Sequence, residues 1–171
     1  MNTTEMCEKA KRIVEVIAEV TSMEDVQRGY PDANGNTNVT WCNRALHRML
    51  DRLGGKESLL LEPRGINWTN ANAMVRNARA NAERVSGGEL AQFMANEGKL
   101  VAAVAPNTSG PGHVALVCPK LSDYKAEKGP LIGQAGISNG FMYIREGFGR
   151  LTPDVEFYVI PYEDGCSAEG E

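Results

Sequence analysis

Cys42 and His113 are the two residues whose types and positions could together supply a nucleophile and its base. Cys42 follows Thr40, a residue that favours helix starts, and precedes an apolar pattern of helical period. Amide hydrogens at a helix start favour the thiolate, which is the reactive form of cysteine. His113 follows the glycine-rich residues 109–112 and precedes an apolar run, which indicates a strand starting beside a cleft. The pair therefore predicts nucleophilic catalysis.

The chain contains one other histidine, His47. It lies five residues after Cys42 on the same predicted helix, a rotation of about 140°, so its ring would point away from the thiol. We therefore interpret His47 as a surface or packing residue. The remaining cysteines, Cys7, Cys118 and Cys166, are widely spaced. We expect them to be reduced and to play no catalytic part.

The elements that must position the pair follow from the periodicity. Helical spacing predicts helices over residues 5–20, 40–53, 70–85 and 88–96. Short apolar runs separated by turn residues predict strands over 100–105, 113–118, 131–134, 141–144 and 155–160. Helices followed by an antiparallel sheet predict an α+β fold. The 171 residues fit a single domain, with an amino-terminal helix within 1–28 and a flexible tail over 163–171.

Composition and charge exclude several classes of protein. The chain is 42% hydrophobic and 23% charged, as globular domains are, and its net charge of -4 comes without a basic stripe for nucleic acid. No apolar run approaches the ~20 residues of a membrane-spanning helix. The charged first twenty residues do not have the pattern of a secretory signal. We therefore expect no nucleic-acid or membrane partner, and export by a dedicated system or release by phage lysis.

Two segments resemble a known family. They resemble segments of the papain-like amidases and endopeptidases of the NlpC/P60 and CHAP types. The first is TWCN, at residues 40–43 before a predicted helix, and the second is GHVALV, at residues 112–117 on a predicted strand. The resemblance covers residues 30–161 and includes the order of cysteine before histidine. It implies a papain-like fold in which Cys42 attacks amide carbonyls of bacterial cell-wall stem peptides, without a cofactor. The aspartate that often precedes the family's nucleophile is Trp41 here.

The resemblance also implies a polar third residue on the strand after that of His113. Gln134 is our first choice, because a hairpin turning through residues 119–129 would bring it near the ring. Asn139, in the adjoining turn, is the alternative. An amide oxygen of either residue could accept the proton of the second ring nitrogen and fix the ring.

Residues near Cys42 are candidates for holding the oxyanion and the substrate. The backbone amide of Cys42 itself could donate to a developing oxyanion. By similarity of spacing to the family, Tyr30 and Asn36 are further candidates. Trp41 adjoins the nucleophile, and we interpret it as a residue that lines the cleft.

Polar side chains alternate along the loop before Cys42, at Asp32, Asn34, Asn36 and Asn38. Oxygen ligands at alternate positions suit Ca²⁺, and Ca²⁺ binding at this loop is left open. Only one of these side chains carries charge, and the glycine is misplaced for an EF-hand. We therefore interpret the segment as a loop held by Asx turns and predict no metal in the site.

Three functions stay open at the level of sequence. The first is a cysteine hydrolase that cleaves amide bonds of peptidoglycan peptides. The second is a deamidase or a transglutaminase-like enzyme acting on a protein, and the third is a non-catalytic binding module of the same fold. The expected partners are a peptidoglycan or peptide substrate and an inhibitor or immunity protein, and we expect a monomer.

Overall fold

The computed structural model describes residues 5–55 and 70–162. The helices among them are α1 (Glu8–Thr21), α2 (Cys42–Leu53), α3 (Ala71–Asn81), α4 (Gly88–Asn96) and α5 (Ile144–Phe148). The strands are β1 (Glu83–Val85), β2 (Leu100–Ala105), β3 (His113–Val117), β4 (Leu131–Gln134), β5 (Gly140–Tyr143) and β6 (Glu156–Ile160). Short 3₁₀ helices cover Glu24–Val26 and Gly149–Asp154.

The six strands form one antiparallel sheet in the order β1-β6-β2-β3-β4-β5. The α+β prediction is therefore confirmed. The prediction of a helix over 70–85 is wrong at its end, because α3 stops at Asn81 and residues 83–85 pair with β6 as β1. The predicted strand over 141–144 also ends one residue early, since Ile144 begins α5.

Helices cover both faces of the sheet, and the side chains of each central strand alternate between two cores. Val114 and Leu116 of β3 belong to a first core, which α1, α2 and α3 complete. Ala115 and Val117 belong to a second core, which α4 and α5 complete. Burial on both sides explains why β2 and β3 are apolar at successive positions instead of every second one.

Helix α1 lies close to the sheet at a position that requires glycine. A Cβ atom on Gly133 of β4 would come 2.1 Å from Cγ2 of Ile17, which is fully buried. Helix α2 ends at Leu53 and is capped by Gly54, which adopts φ 71° and ψ 20°, as expected for a glycine after a helix. The first core thus fixes two helices over the strands that carry the candidate site.

The cysteines only partly follow the sequence prediction. Cys42 and Cys118 are free and buried, whereas Cys7 is disulfide-bonded, so the prediction that Cys7 is reduced is wrong. Its sulfur also lies 3.5 Å from the backbone nitrogen of Ala10, at the start of α1. Cys166 and the predicted tail over 163–171 lie outside the described residues. Within the described part of the chain, no helix is long and apolar enough to cross a bilayer.

Candidate active site

Cys42 lies in the first turn of α2, as the sequence predicts, although the helix begins at Cys42 itself and the cap is Trp41 and not Thr40. The Trp41 carbonyl accepts the first helical hydrogen bond, from Ala45 at 2.9 Å. The indole nitrogen of Trp41 donates to the carbonyl of Tyr30 at 3.0 Å, and the Arg44 guanidinium lies 3.7 Å from the indole centroid. These contacts fix the helix start and hence the position of the thiol.

The loop between β2 and β3 places His113 at the first position of its strand. Asn72 of α3 holds this loop: its side-chain nitrogen donates to the carbonyls of Asn107 and Gly110 at 3.2 and 3.0 Å, and its oxygen accepts from the Asn107 amide. Gly112 permits the close approach, since a Cβ there would lie 2.6 Å from both Ala105 O and Asn72 Oδ1.

The register of the β3–β4 hairpin brings Gln134 to the ring of His113. Leu116 pairs with Gly133, which places Gln134 on the same face of the sheet as His113 and diagonally across from it. Nε2 of His113 donates to Oε1 of Gln134. The buried Gln134 amide is itself fixed, because its nitrogen donates to Ser138 O at 3.1 Å and to Met142 Sδ at 3.0 Å.

The Cys42 thiol forms a hydrogen bond with His113, and each group shifts the pKa of the other toward its charged form. Burial opposes ionisation of the thiol, but the hydrogen bond and charge of His113 and the backbone N–H groups of Val114 and Asn43 outweigh it and lower the pKa of Cys42. Burial also opposes charge on His113, but Cys42 and then Gln134 outweigh it and raise the pKa of the ring.

Helix α5 packs against this pair, and sequence reasoning missed it. The ring of Phe148 meets the ring of His113 edge to face, with centroids 4.6 Å apart. A Cβ on Gly147 would lie 2.6 Å from Oε1 of Gln134, so the helix reaches the amide only because residue 147 is glycine. The closely spaced glycines at 147 and 149, on either side of an aromatic residue, are the signal that could have indicated such a contact.

An open cleft of about 770 Å³ leads to the histidine. His113 and Gln134 line it, together with Thr40, which lies two residues before the thiol. Cys42 retains 6% of its surface exposed. Cys42 itself is not among the lining residues, so the cleft reaches the imidazole directly and the thiol lies behind it.

The structure places the remaining candidate residues elsewhere. Asn139 donates to the carbonyl of Val26 at 3.1 Å and accepts from the amide of Gly136 at 3.0 Å, so it anchors the β4–β5 turn while Gln134 binds the ring. Trp41 belongs to the first core and is not among the residues that line the cleft, contrary to the prediction. The guanidinium of Arg44 lies 5.6 Å from the ring centroid of Tyr30.

The loop before α2 contains the predicted Asx turns. Oδ1 of Asp32 accepts from the amides of Asn34 and Asn36 at 2.8 and 3.0 Å, and Oδ1 of Asn36 accepts from the amide of Asn38 at 2.9 Å. Asn36 is exposed, and its side-chain oxygen accepts the hydrogen bond of this turn. Over residues 5–55 and 70–162, no group of three or more His, Cys, Asp or Glu side chains could hold a metal ion.

The thiol, the imidazole and the amide thus form one hydrogen-bonded row at the edge of a cleft. The chain matches no family model and no curated protein sequence.

Proposed function

We propose that this protein is a papain-like cysteine hydrolase that cleaves amide bonds in bacterial cell-wall peptides. The observation that carries the proposal is the row Cys42–His113–Gln134, in which one ring nitrogen is bound to an amide and the other is left for the thiol. A thiol at a helix start, a base in contact with it and a third group that orients the base are the parts that nucleophilic acyl transfer requires.

The chemistry follows from this arrangement. The Cys42 thiolate attacks the carbonyl carbon, and backbone N–H groups at the start of α2 donate to the oxyanion. As the carbon–nitrogen bond breaks, His113 gives its proton to the leaving amine, which departs and leaves a thioester on Cys42. His113 then takes a proton from water, the hydroxide attacks the thioester, and the acid product leaves while the pair is restored.

Two further features favour the cell wall as the place of action. The disulfide at Cys7 fits an oxidising compartment such as a bacterial periplasm, where cell-wall peptides are found. The cleft is open, with small residues such as Gly112 and Gly136 in its lining, which leaves room for a peptide backbone. Both features are consistent with a protein that is exported or released to reach its substrate.

The test is digestion of purified sacculi by the wild type and by Cys42→Ala, with mass analysis of the released fragments. We expect the wild type to release peptides with newly formed carboxyl and amino ends, and the variant to be at least about a thousandfold slower, because the nucleophile is lost. Cys118→Ala is the matched control, since that thiol is free and buried but remote from His113, and it should retain activity.

The alternatives give different outcomes in the same assay. If sacculi stay intact but glutamine side chains of added proteins are deamidated or cross-linked in a Cys42-dependent manner, the enzyme is an acyl transferase on proteins. If the wild type shows neither reaction and Cys42 is alkylated no faster than a free thiol at neutral pH, the hydrolase proposal is wrong and a binding module remains.

A further inference from the structure

Met142 of β5 contacts the amide group that binds the imidazole of His113. Its sulfur accepts a hydrogen bond from Nε2 of Gln134 at 3.0 Å, and its side chain lines the same cleft as His113. The register of the sheet explains this contact. Gln134 pairs with Gly140, so Met142, two residues further along β5, lies on the same face and diagonally across from the amide. The thioether therefore reaches Gln134 from the neighbouring strand.

The same amide nitrogen has a second acceptor, the carbonyl of Ser138, at 3.1 Å. This carbonyl belongs to the β4–β5 turn, which Asn139 anchors by accepting from the amide of Gly136 at 3.0 Å and donating to the carbonyl of Val26 at 3.1 Å. A carbonyl and a thioether can accept hydrogen bonds but cannot donate them. The nitrogen of the Gln134 amide must therefore face these two groups, and its oxygen must face the imidazole.

The direction of the amide fixes the tautomer of the neutral imidazole. Since Oε1 of Gln134 can only accept, Nε2 of His113 must carry the hydrogen of the bond between them. Nδ1 is then unprotonated in the neutral ring and is the nitrogen left for the thiol. A reversed amide would present N–H groups to Nε2, move the ring hydrogen to Nδ1 and leave no lone pair to accept the proton of Cys42.

We propose that Met142 is a positioning residue: its sulfur, with the carbonyl of Ser138, sets the direction of the Gln134 amide. The amide in turn keeps Nδ1 of His113 basic toward Cys42. Met142 is half-buried and packs against the second core, which holds its sulfur in place. Gln134 is buried, so an amide hydrogen that loses its acceptor there is costly. The effect on turnover rests on the proposed function, whereas the tautomer of the ring does not.

The test measures the tautomer directly, by ¹⁵N NMR of histidine-labelled protein at a pH where the His113 ring is neutral. Cys42→Ala serves as the background, so that no thiolate competes for the ring hydrogen. Position 142 is compared as the natural thioether, which accepts, as Met142→Leu, which has no polar atom, and as Met142→Lys, which only donates. We expect the proportion of the Nε2–H tautomer to fall in that order, because an ammonium draws the amide oxygen away from the ring.

Turnover in the protein that retains Cys42 should follow the same order. Met142→Leu should lower kcat about fivefold, the loss expected for one hydrogen bond. In a Gln134→Ala background the same substitution should have no further effect, because the amide through which Met142 acts is absent. Met94→Leu is the matched control: Met94 is also a partly buried methionine that packs against the second core, but it is not among the cleft-lining residues.

Either of two results overturns the inference: the same proportion of the Nε2–H tautomer with every side chain at position 142, or a loss of kcat in Met142→Leu that persists undiminished in the Gln134→Ala background. Met142→Leu conserves the volume and decides alone if Met142→Lys does not fold. The proposed function fails separately. If the tautomer shifts as expected but the wild type releases no peptides from sacculi, the positioning role of Met142 stands and the hydrolase does not.

Discussion

Cys42 and Cys118 are both free, buried cysteines, yet their surroundings move the pKa values of their thiols in opposite directions. Burial is the cause at Cys118 and raises the pKa to about 12. At Cys42 the same penalty is outweighed by the His113 ring and by two backbone N–H groups. The pKa of each thiol is therefore set by the neighbours of the sulfur and not by burial alone.

Gln134 is predicted to control the pKa of His113. Its hydrogen bond contributes to raising that pKa, so Gln134→Met should lower it and the charge on the ring should be lost at a lower pH. Gln134→Glu places a carboxylate at the ring and should raise it. Titration of the imidazole signals by NMR measures both shifts, with His47 as the second histidine in the same spectrum.

The dependence of turnover on pH follows from these two pKa shifts. Turnover needs a thiolate and a protonated ring, so it falls below the lowered pKa of Cys42 and above the raised pKa of His113. Gln134→Met should therefore move the alkaline limb to lower pH. An unchanged ring titration in both Gln134 variants would show that the amide does not orient or charge the base.

Cys42, His113 and Gln134 lie on the helix and strands that the sequence predicts for them, because each of these elements depends on a local signal. A helix start, a strand start and a hairpin length can all be read from a few neighbouring residues. Trp41 was misinterpreted because its surroundings are tertiary: its burial depends on Arg44 and Tyr30, which pack around the indole. The part played by Asn139 depends on tertiary contacts too, since its side-chain nitrogen donates to carbonyls of Thr21 and Val26, more than a hundred residues away.

Among the elements, α5 supports the imidazole and its amide from one side. It contributes Phe148 to the second core and comes close to Gln134 through Gly147. With five residues, it is too short to show a helical period, and glycines flank its last residue. For the same reason β1 could not be predicted: it has three residues, of which Glu83 and Arg84 favour helices, and it becomes a strand because β6 is beside it.

Gly147→Ala is predicted to displace Gln134. The added methyl would lie 2.6 Å from both Oε1 of Gln134 and Cδ1 of Ile132, so the helix or the amide must shift, at a cost of about 1–3 kcal/mol in stability. We expect activity to fall by about tenfold or more, as misplacement of a catalytic contact predicts. Thermal unfolding and kcat measurements on the same preparation separate the two effects.

Gly136→Ala is the control at the same cleft. Its Cβ would lie 3.4 Å from Cε1 of His113 and 3.5 Å from Nε2 of Gln134, which are close to ordinary contact distances. Activity should change far less than in Gly147→Ala. If both variants lost the same amount of activity, any added side chain at the cleft would be harmful. The close approach of α5 to Gln134 would then not explain the loss in Gly147→Ala.

For the molecule as a whole, the fold class could be predicted because helical and strand periods occupy separate parts of the sequence. What could not be predicted is the layering, in which α1, α2 and α3 cover one face of the sheet and α4 and α5 the other. Continuous apolar strands such as β2 show that both faces are buried but not which helix covers which face. The disulfide at Cys7 was missed because widely spaced cysteines carry no pairing signal.

The disulfide is predicted to stabilise the whole fold without taking part in the chemistry. Cys7→Ser should lower the free energy of unfolding by about 2–4 kcal/mol, the usual effect of losing a disulfide. Cys42 alkylation in the folded protein should be unchanged. Denaturant titration with and without a reducing agent measures the effect: the wild type should lose stability on reduction and the variant should not. Equal sensitivity of both proteins to reduction would contradict the assignment.

The thiol is attached to a helix on one side of the sheet, while the imidazole shares its face of β3 with Ala115 and Val117 on the other. A fragment that carried only one of these groups would be inert. If a fragment with α2 and a fragment with β3 were made separately and mixed, turnover would return only in molecules where the two had reassociated. The recovered rate would therefore measure the fraction of reassembled molecules.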